Sequence, residues 1–476
     1  MRKSILVVGG GVAGLACAAR LLEIEPTCEV TVVEAEERVG GLASLWRCRE
    51  FSADLGPHRV YTELPEIAAL LPKLVATEDE IQVERRSQLY LDGHYYAYPV
   101  RAGEILRVMG ALRLGYYGAS AALGQMKALM GKPRSYADAM QRAFGRALYK
   151  KIIEPYTRKV WKTPPEQLSE EVARVRVSAG NTNKIVKRLL HRRDTPSRPT
   201  ALDRFTYIRG GVEGLVHALE SKVLSRGGTI ETGLCATAFE LDQGGVKSVC
   251  AEATSEEASD ALFEASAVVS TMPITDLVAT LGARLGEGAE AARQLEYVGM
   301  ILVGVALAKP QMSLNTWIYF PEEHLVFNRA YEPRNFDPSM APSDRTFVVF
   351  EITARLDSLL WQTPDADLRD LVVHDAIRAG LFSKEDVLET FSRRLSYAYP
   401  IYTLDFRRYL ERVCQALSQV PNLLTTGRQG LFNHNNMDHS MLMGIRAAEC
   451  VVENYPIAAK AWYDHLEQFA HFRIVD

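Results

Sequence analysis

Gly9, Gly11 and Gly14, with Glu34 twenty residues beyond the last of them, are the residues whose spacing points most directly to chemistry. Gly-x-Gly-x-x-Gly suits a backbone that wraps a pyrophosphate. Gly9 allows a tight turn. Gly11 has no Cβ, so a phosphate can approach the backbone and the N–H groups at the start of a helix, here at Val12 and Ala13. Gly14 lets that helix sit close on a sheet. An acid at the distance of Glu34 accepts hydrogen bonds from two ribose hydroxyls. A further glycine pair follows in Glu34-Ala35-x-x-Arg38-x-Gly40-Gly41-Leu42. It brings a second loop backbone against an extended dinucleotide, which favours FAD over a nicotinamide cofactor.

These residues need elements to hold them. The apolar run Ile5-Leu-Val-Val8 reads as a strand ending at Gly9, and the Ala/Leu-rich stretch after Gly11 reads as a helix. Val30-Thr-Val-Val33 is a second strand that delivers Glu34. Strand, glycine turn, helix and strand make a βαβ dinucleotide-binding unit.

The chain has 476 residues, 47% hydrophobic and 24% charged, and carries a formal net charge of -4. At about 150 residues per domain this suggests two to three domains with a sizeable core. The charge balance gives no reason to expect nucleic acid as a partner. Seven scattered cysteines, with no Cys-x-x-Cys pair, read as reduced residues of a cytoplasmic protein. The ten histidines show no ligand spacing, so no metal is expected. The N-terminus enters a strand at once, so no secretory signal is expected. No stretch reaches the roughly 18 apolar residues of a membrane span. Leu114 to Gly124 comes nearest and reads as a helical piece of a substrate domain; it leaves peripheral membrane contact open. The basic run Lys184, Lys187, Arg188, Arg192, Arg193 and Arg198 reads as a solvated loop, or as an attractor of an anionic substrate or lipid surface.

Two aromatic alternating runs meet at Asp92-Gly93, a strong hairpin signal. Residues 76–204 look largely helical after that hairpin. Strands return from about 205 to 270 and again from 296 to 352. Amphipathic helices are expected at 365–380 and 404–418, then a strand at 422–426 and a helix from about Ser440 to Asn454. The order fits an α/β fold: a Rossmann-like FAD-binding domain with an inserted α+β substrate domain. The expected pieces are 1–75, 205–285 and 415–476 for the former, and 76–204 and 286–414 for the latter.

Seven blocks, in order, resemble the FAD-dependent amine-oxidase-like superfamily, in particular its protoporphyrinogen-oxidase-like and UDP-galactopyranose-mutase-like members. Asp54-Leu-Gly56-Pro57-His58 resembles the loop beside the isoalloxazine, and Lys151-Ile-Ile-Glu-Pro155-Tyr156-Thr-Arg-Lys159-Val-Trp161 resembles the Pro-Tyr-Thr-x-Lys-x-Trp stretch. Tyr207-Ile-Arg-Gly210-Gly211 resembles a Tyr-Pro-x-Gly-Gly turn, with Ile208 in place of proline. Val269-Ser-Thr271-Met-Pro273 resembles a strand end, and Asn328-Arg329-Ala-Tyr331 a substrate-facing segment. Tyr399-Pro400-Ile-Tyr402 precedes the last block. Gly427-Arg428-Gln-Gly430, with Asn436-Met437-Asp438, is similar to the C-terminal FAD motif.

The resemblance implies FAD contacts from Gly9, Gly11, Val12, Ala13, Gly14, Glu34, Ala35, Arg38, Gly41, Leu42, Gly56, Pro57, His58, Ala236, Gly427, Arg428, Met437 and Asp438. It implies catalytic or substrate-facing roles for His58, Arg329 and Tyr331. The residues themselves leave other readings open. His58 also suits a solvated or capping position, Tyr156 and Trp161 suit core packing, Arg329 and Arg428 suit ion pairs, and Asp438 suits a helix cap. Monoamine-oxidase-type enzymes carry a lysine in the strand after the Ser-Thr-x-Pro block; Met300 to Ala306 has none. Gly427 to Gly430 has no cysteine for a covalent link, so FAD is expected to be non-covalent.

The expected function is an FAD-dependent oxidoreductase that takes hydride from a C–H of a small-molecule substrate to flavin N5, with an anionic substrate left open. The alternative is a mutase-like sugar-nucleotide isomerase that uses reduced FAD. A flavin-binding redox module without turnover is the third reading.

Overall fold

The structure is a computed structural model. It describes residues 3–98, 110–128, 131–176, 204–256, 258–470, 472 and 474. The basic run from Lys184 to Arg198 lies outside the described residues.

The β-branched runs near the N-terminus build a parallel sheet. Its order is Leu423–Thr425, Ala267–Ser270, Ser4–Val8, Glu29–Val33 and Thr229–Glu231. Ser4–Val8 pairs in parallel with both Ala267–Ser270 and Glu29–Val33. Strands covered on both faces read as continuous apolar runs, and Val7, Val32, Val268 and Val269 are fully buried. The helix Val12–Ile24 packs on this sheet. The helix Met437–Asn454 crosses it at Gly444, where an added Cβ would lie 2.1 Å from the Ala13 carbonyl oxygen. Only glycine permits that approach. The final helix starts at Met437, three residues before Ser440, because Asn436 caps it.

A second sheet of seven strands runs Val387–Pro400, Tyr297–Leu307, Thr346–Ala354, Arg329–Tyr331, Trp317–Tyr319, Ser87–Leu91 and His94–Ala97. Tyr297–Leu307 and Thr346–Ala354 are buried along their whole length. The long strand Val387–Pro400, where the sequence pattern gave no element, pairs antiparallel with Tyr297–Leu307. Its alternation is blurred because its side chains are mostly half-buried on both faces. The Asp92-Gly93 hairpin forms with φ of 52° and 77° at its two central residues, which suits a tight turn with φ > 0 at both.

Helices Ala111–Ala128, Tyr136–Phe144 and Glu154–Trp161 complete the second region. Gly124 faces the Gln141 carbonyl, where a Cβ would lie 2.5 Å away. Asp365–Arg378 and Phe406–Leu417 form the two expected amphipathic helices. Parallel sheet, covering helices and a separate mixed α+β region together give the expected α/β fold with an inserted α+β part. Among the described residues no helix is long and apolar enough to cross a membrane.

Candidate functional site

The glycine loop does what its spacing requires. Gly9 has φ of +102°, and a Cβ there would lie 2.1 Å from Thr271 Oγ1. At Gly14 it would lie 1.9 Å from the Gly9 carbonyl oxygen, so the helix start sits directly on the turn. At Gly11 a Cβ would meet nothing closer than 4.0 Å. That glycine therefore keeps open the space in front of the helix instead of relieving a clash. The helix Val12–Ile24 begins at Gly11 with no side-chain cap and no acid in its first turn. Its first N–H groups, at Val12, Ala13 and Gly14, thus face an anion-binding position.

The second glycine pair packs on the first. Gly40 N donates to Gly10 O at 2.9 Å, and a Cβ at Gly41 would lie 3.4 Å from Gly11 Cα. Glu34 is buried; its carboxylate accepts from Gly10 N at 2.6 Å and from Glu36 N at 3.0 Å. Burial raises its pKa while the N–H donors from Glu36 and Gly10 lower it. Two of the roughly four lone-pair positions of a carboxylate are used in this way. Ala35 and Arg38 are exposed just beyond it, and Leu42 is half-buried in the turn Gly41–Ala43. Gly233 N and Leu234 N donate to Glu36 O and Glu34 O, which sets the buried Ala236 close behind.

The C-terminal motif closes on the same place. Gly427, with φ of +83°, packs so that a Cβ would lie 2.8 Å from Ala13 Cβ. Asn436 and His439 form a reciprocal capping box at the start of the final helix. This corrects the reading of Asp438 as the cap: the Asn436 side chain accepts from His439 N, and His439 Nδ1 reaches back to accept from Asn436 N. Asp438 is buried instead, beside the half-buried Met437; among the described residues its Oδ1 has no hydrogen-bond partner, with His439 Nδ1 3.5 Å away. A buried lone carboxylate oxygen is a place for a ligand's donor.

The Asp54-Leu-Gly-Pro-His58 loop is held from the seven-stranded sheet. Tyr331 donates its hydroxyl to Asp54 O at 2.5 Å and accepts from Gly56 N at 3.2 Å. The Asp54 carboxyl accepts from Tyr207 at 2.6 Å and from Val212 N at 3.2 Å, and burial pushes its pKa up to about 7. Gly56 has φ of +111°, and a Cβ there would lie 3.4 Å from Glu351 Oε1. Glu351 in turn receives both Arg329 Nε and Arg329 Nη2 at 2.8 Å. The fork of Arg329 is therefore committed to Glu351 and is not left open for an anion, as its segment had suggested. The hydroxyl of Tyr331 is likewise engaged by the loop.

His58 brings the site together. Its Nδ1 is buried and has no hydrogen-bond partner among the described residues. Burial first, then the positive charges of Arg428 and Arg329, lower its pKa to about 4. The ring is neutral at neutral pH. Arg428 donates to Asn435 O, and to Ala398 O at 3.1 Å, and lies 5.3 Å from the Tyr399 ring centre. Trp161 stands edge-on to Tyr399 and to His434. Tyr156 is edge-on to Tyr319, and Tyr399, Tyr156 and Tyr319 all act electrostatically on Arg329. Lys159 is buried, donates to Phe320 O at 2.9 Å and Glu322 O at 2.7 Å, and is lowered by burial to about 7. It anchors the helix that carries Tyr156 and Trp161.

Glu351, Tyr319 and His434 were not among the residues picked out from the sequence. Glu351 had a signal, as a lone charge in Phe347-Val-Val-Phe350-Glu-Ile352. Such a charge needs a buried partner. Tyr319 and His434 had none. Among the described residues no group of His, Cys, Asp and Glu side chains is placed to hold a metal ion.

The profile of the flavin containing amine oxidoreductases matches residues 12–452. The chain belongs to this family. FAD is its cofactor, and the uncapped helix start, the open space at Gly11, buried Glu34 and the lone oxygen of Asp438 fit it. Among curated proteins the chain is 27% identical to coproporphyrinogen III oxidase of Staphylococcus aureus over 251 residues, 48% of this chain and 53% of that protein. It is 34% identical to an L-amino-acid oxidase of Crotalus adamanteus over 88 residues, 18% of this chain and 17% of that one. The chain thus spans about half the length, or less, of these relatives. Among solved structures, reduced UDP-galactopyranose mutase superposes with a TM-score of 0.79 at 20% identity, over 100% of this chain and 99% of that one. A protein of Exiguobacterium sp. 255-15, provisionally assigned as a protoporphyrinogen oxidase, gives 0.71 at 19%, over 95% and 99%. At these identities the superpositions speak for the fold.

Proposed function

We propose that this flavoenzyme removes a hydride from a C–H of a small, anionic, largely apolar molecule, in the manner of protoporphyrinogen oxidases and desaturases. One observation carries the reading: burial holds the His58 ring neutral, and the positive charge of Arg428, bonded to the backbone carbonyls of Asn435 and Ala398, acts on it. A protonated amine is repelled from such a field, and a carboxylate-bearing molecule is drawn to it. The tyrosines and Trp161 beside the arginines offer apolar, stackable surface for a conjugated ring system.

FAD supplies the redox chemistry when bound. The chain's residues position and polarise. Neutral His58 accepts or donates one hydrogen bond without carrying charge into the site. Arg428, fixed by backbone carbonyls, presents a preorganised positive end, while Arg329 and Glu351 brace the loop that carries His58. Tyr331 holds the Asp54–His58 loop in register and acts as a positioning residue. FAD is held without a covalent link in this reading. The chain divides after 75, 204, 285 and 414, with the parallel sheet in the FAD-binding pieces.

A mutase-like reading is second. It is supported by the gathering of Gly56-Pro57-His58, Tyr156 and Arg329 with Glu351 around one corner. Turnover separates the two. Coproporphyrinogen III, protoporphyrinogen IX, a primary amine and UDP-galactopyranose are offered to the enzyme in air and after dithionite reduction. An oxidised porphyrin-type product formed in air supports the first reading. An isomer formed only after reduction replaces it with the second, and amine oxidation removes the argument from the positive field.

A further inference from the structure

An open pocket of about 290 Å³, with Ala68, Pro72 and Glu80 exposed at its rim, adjoins the chain just after His58. Its walls are mainly apolar: Val60, Ala68, Leu71, Pro72, Val75 and Ile208. Val60, Tyr61 and Leu71 also line a smaller space whose other walls include Arg59, Asn436, Met437 and Asp438. One layer of side chains therefore separates this cavity from the C-terminal FAD motif. It is distinct from the arginine-flanked substrate corner, because none of Arg329, Arg428, Tyr399 or Trp161 lines it.

The polar groups of the cavity decide what it can take. Among the described residues that line it there is no Lys or Arg, and Glu80 is present. An anion is disfavoured, and so is a nicotinamide dinucleotide, whose phosphates need cationic or backbone donors. Two threonines offer hydrogen bonds. The Thr206 hydroxyl accepts from Gln82 Nε2 at 2.9 Å, and the Thr62 hydroxyl accepts from Leu64 N at 3.0 Å. Each keeps its own O–H to donate. Two hydroxyl donors in an apolar, cation-free cavity suit a neutral ring with carbonyl acceptors.

We propose that this cavity is the site of the electron acceptor, and that the acceptor is a small neutral quinone. The quinone leaves as the quinol, having taken two electrons from the reduced cofactor and two protons from water. The proposal rests on the redox reading above but not on the identity of the substrate. Substrate beside Arg428 and acceptor in this pocket then touch different residues, so neither has to leave before the other arrives.

The test uses the holoprotein and duroquinone (tetramethylbenzoquinone). Equilibrium dialysis against oxidised holoprotein measures binding with no turnover. We expect saturable binding of one molecule per chain. Thr206→Val, which keeps the shape and removes one donor, should weaken it about tenfold, the effect of one hydrogen bond. Val75→Phe and Ala68→Trp, which fill the cavity, should abolish it. FAD content and thermal melting identify any variant that fails to fold, and Thr206→Val carries the test if both filling variants fail. Photoreduction then reduces the enzyme without substrate. Reoxidation by duroquinone should slow at least tenfold in the variants that lose binding, while reoxidation by dioxygen is unchanged. Equal binding in all variants overturns the proposal, as does reoxidation by duroquinone at an unchanged rate. Reoxidation by dioxygen alone, with no bound quinone, overturns it too and leaves the cavity without this role. A protein that binds duroquinone but cannot be reduced at all fails the redox reading instead.

Discussion

Arg329 and Glu351 stand opposite each other on neighbouring antiparallel strands and close a two-pronged ion pair, Nε to Oε2 and Nη2 to Oε1, each at 2.8 Å. Glu351 is 1% exposed, so the pair is made largely out of water, and its Oε1 lies where a Cβ on Gly56 would come within 3.4 Å. The pair thus braces the His58 loop while it fixes the arginine.

Removing the acid should therefore cost more than removing a surface charge. Glu351→Ala leaves a guanidinium facing an emptied, poorly solvated position. The expected loss is about 3 kcal/mol of unfolding free energy, at the lower end for a broken buried pair because one-fifth of the Arg329 side chain meets solvent. Urea unfolding of the variant measures it. A loss below about 1 kcal/mol would place the pair with ordinary surface ion pairs.

His58 makes stability depend on pH in a defined window. Its pKa falls from 6.5 to about 4 on folding, so between those values the unfolded chain binds more protons. The stability that neutral His58 permits is fully present above pH 6.5 and declines as pH falls toward about 4. His58→Gln should flatten that part of the stability curve. A proton resonance titration of the ring gives the second readout, and a midpoint near 6.5 would contradict the burial and charge argument.

The glycines at 11 and 14 should fail in different ways. Gly11→Val adds a branched side chain where the protein itself leaves space, so the chain is expected to fold and to lose FAD. Gly14→Ala drives a Cβ to within 1.9 Å of the Gly9 carbonyl oxygen and is expected to reduce folded yield. Circular dichroism and heat-released flavin distinguish the two. Normal FAD content in Gly11→Val would move the cofactor away from this loop.

Tyr331→Phe removes one donor and one acceptor from a buried loop. Asp54 O and Gly56 N keep their bond to each other at 2.8 Å but lose those to the hydroxyl, at a cost of about 1 kcal/mol. The loop should shift, raising KM and altering the flavin absorbance envelope, while the pH dependence of kcat is kept. A changed pH profile with an unchanged KM would instead make Tyr331 a proton-transfer group.

Local chemistry in the sequence determined a great deal. The glycine turn, the strand ends at Glu34 and Thr271, and the Asp92-Gly93 hairpin depend on φ, on side-chain size and on a period of two, all properties of a few adjacent residues. The order of strand-rich and helical stretches marked the α/β fold in the same way. Tertiary structure decided what lies far apart in sequence. It set Glu351 against Arg329, because two strands came into register there. It brought Arg428 and Arg329 near enough to His58 to act on its charge, from three separate segments. It gave the final helix Asn436 as its cap and left Asp438 with a lone buried oxygen, since only the folded helix start shows which side chain can reach back. Strand Val387–Pro400 was hidden because its mostly half-buried side chains give no alternation to read. Charge, burial and pKa at the site are properties of the assembled surroundings, and no single segment carries them.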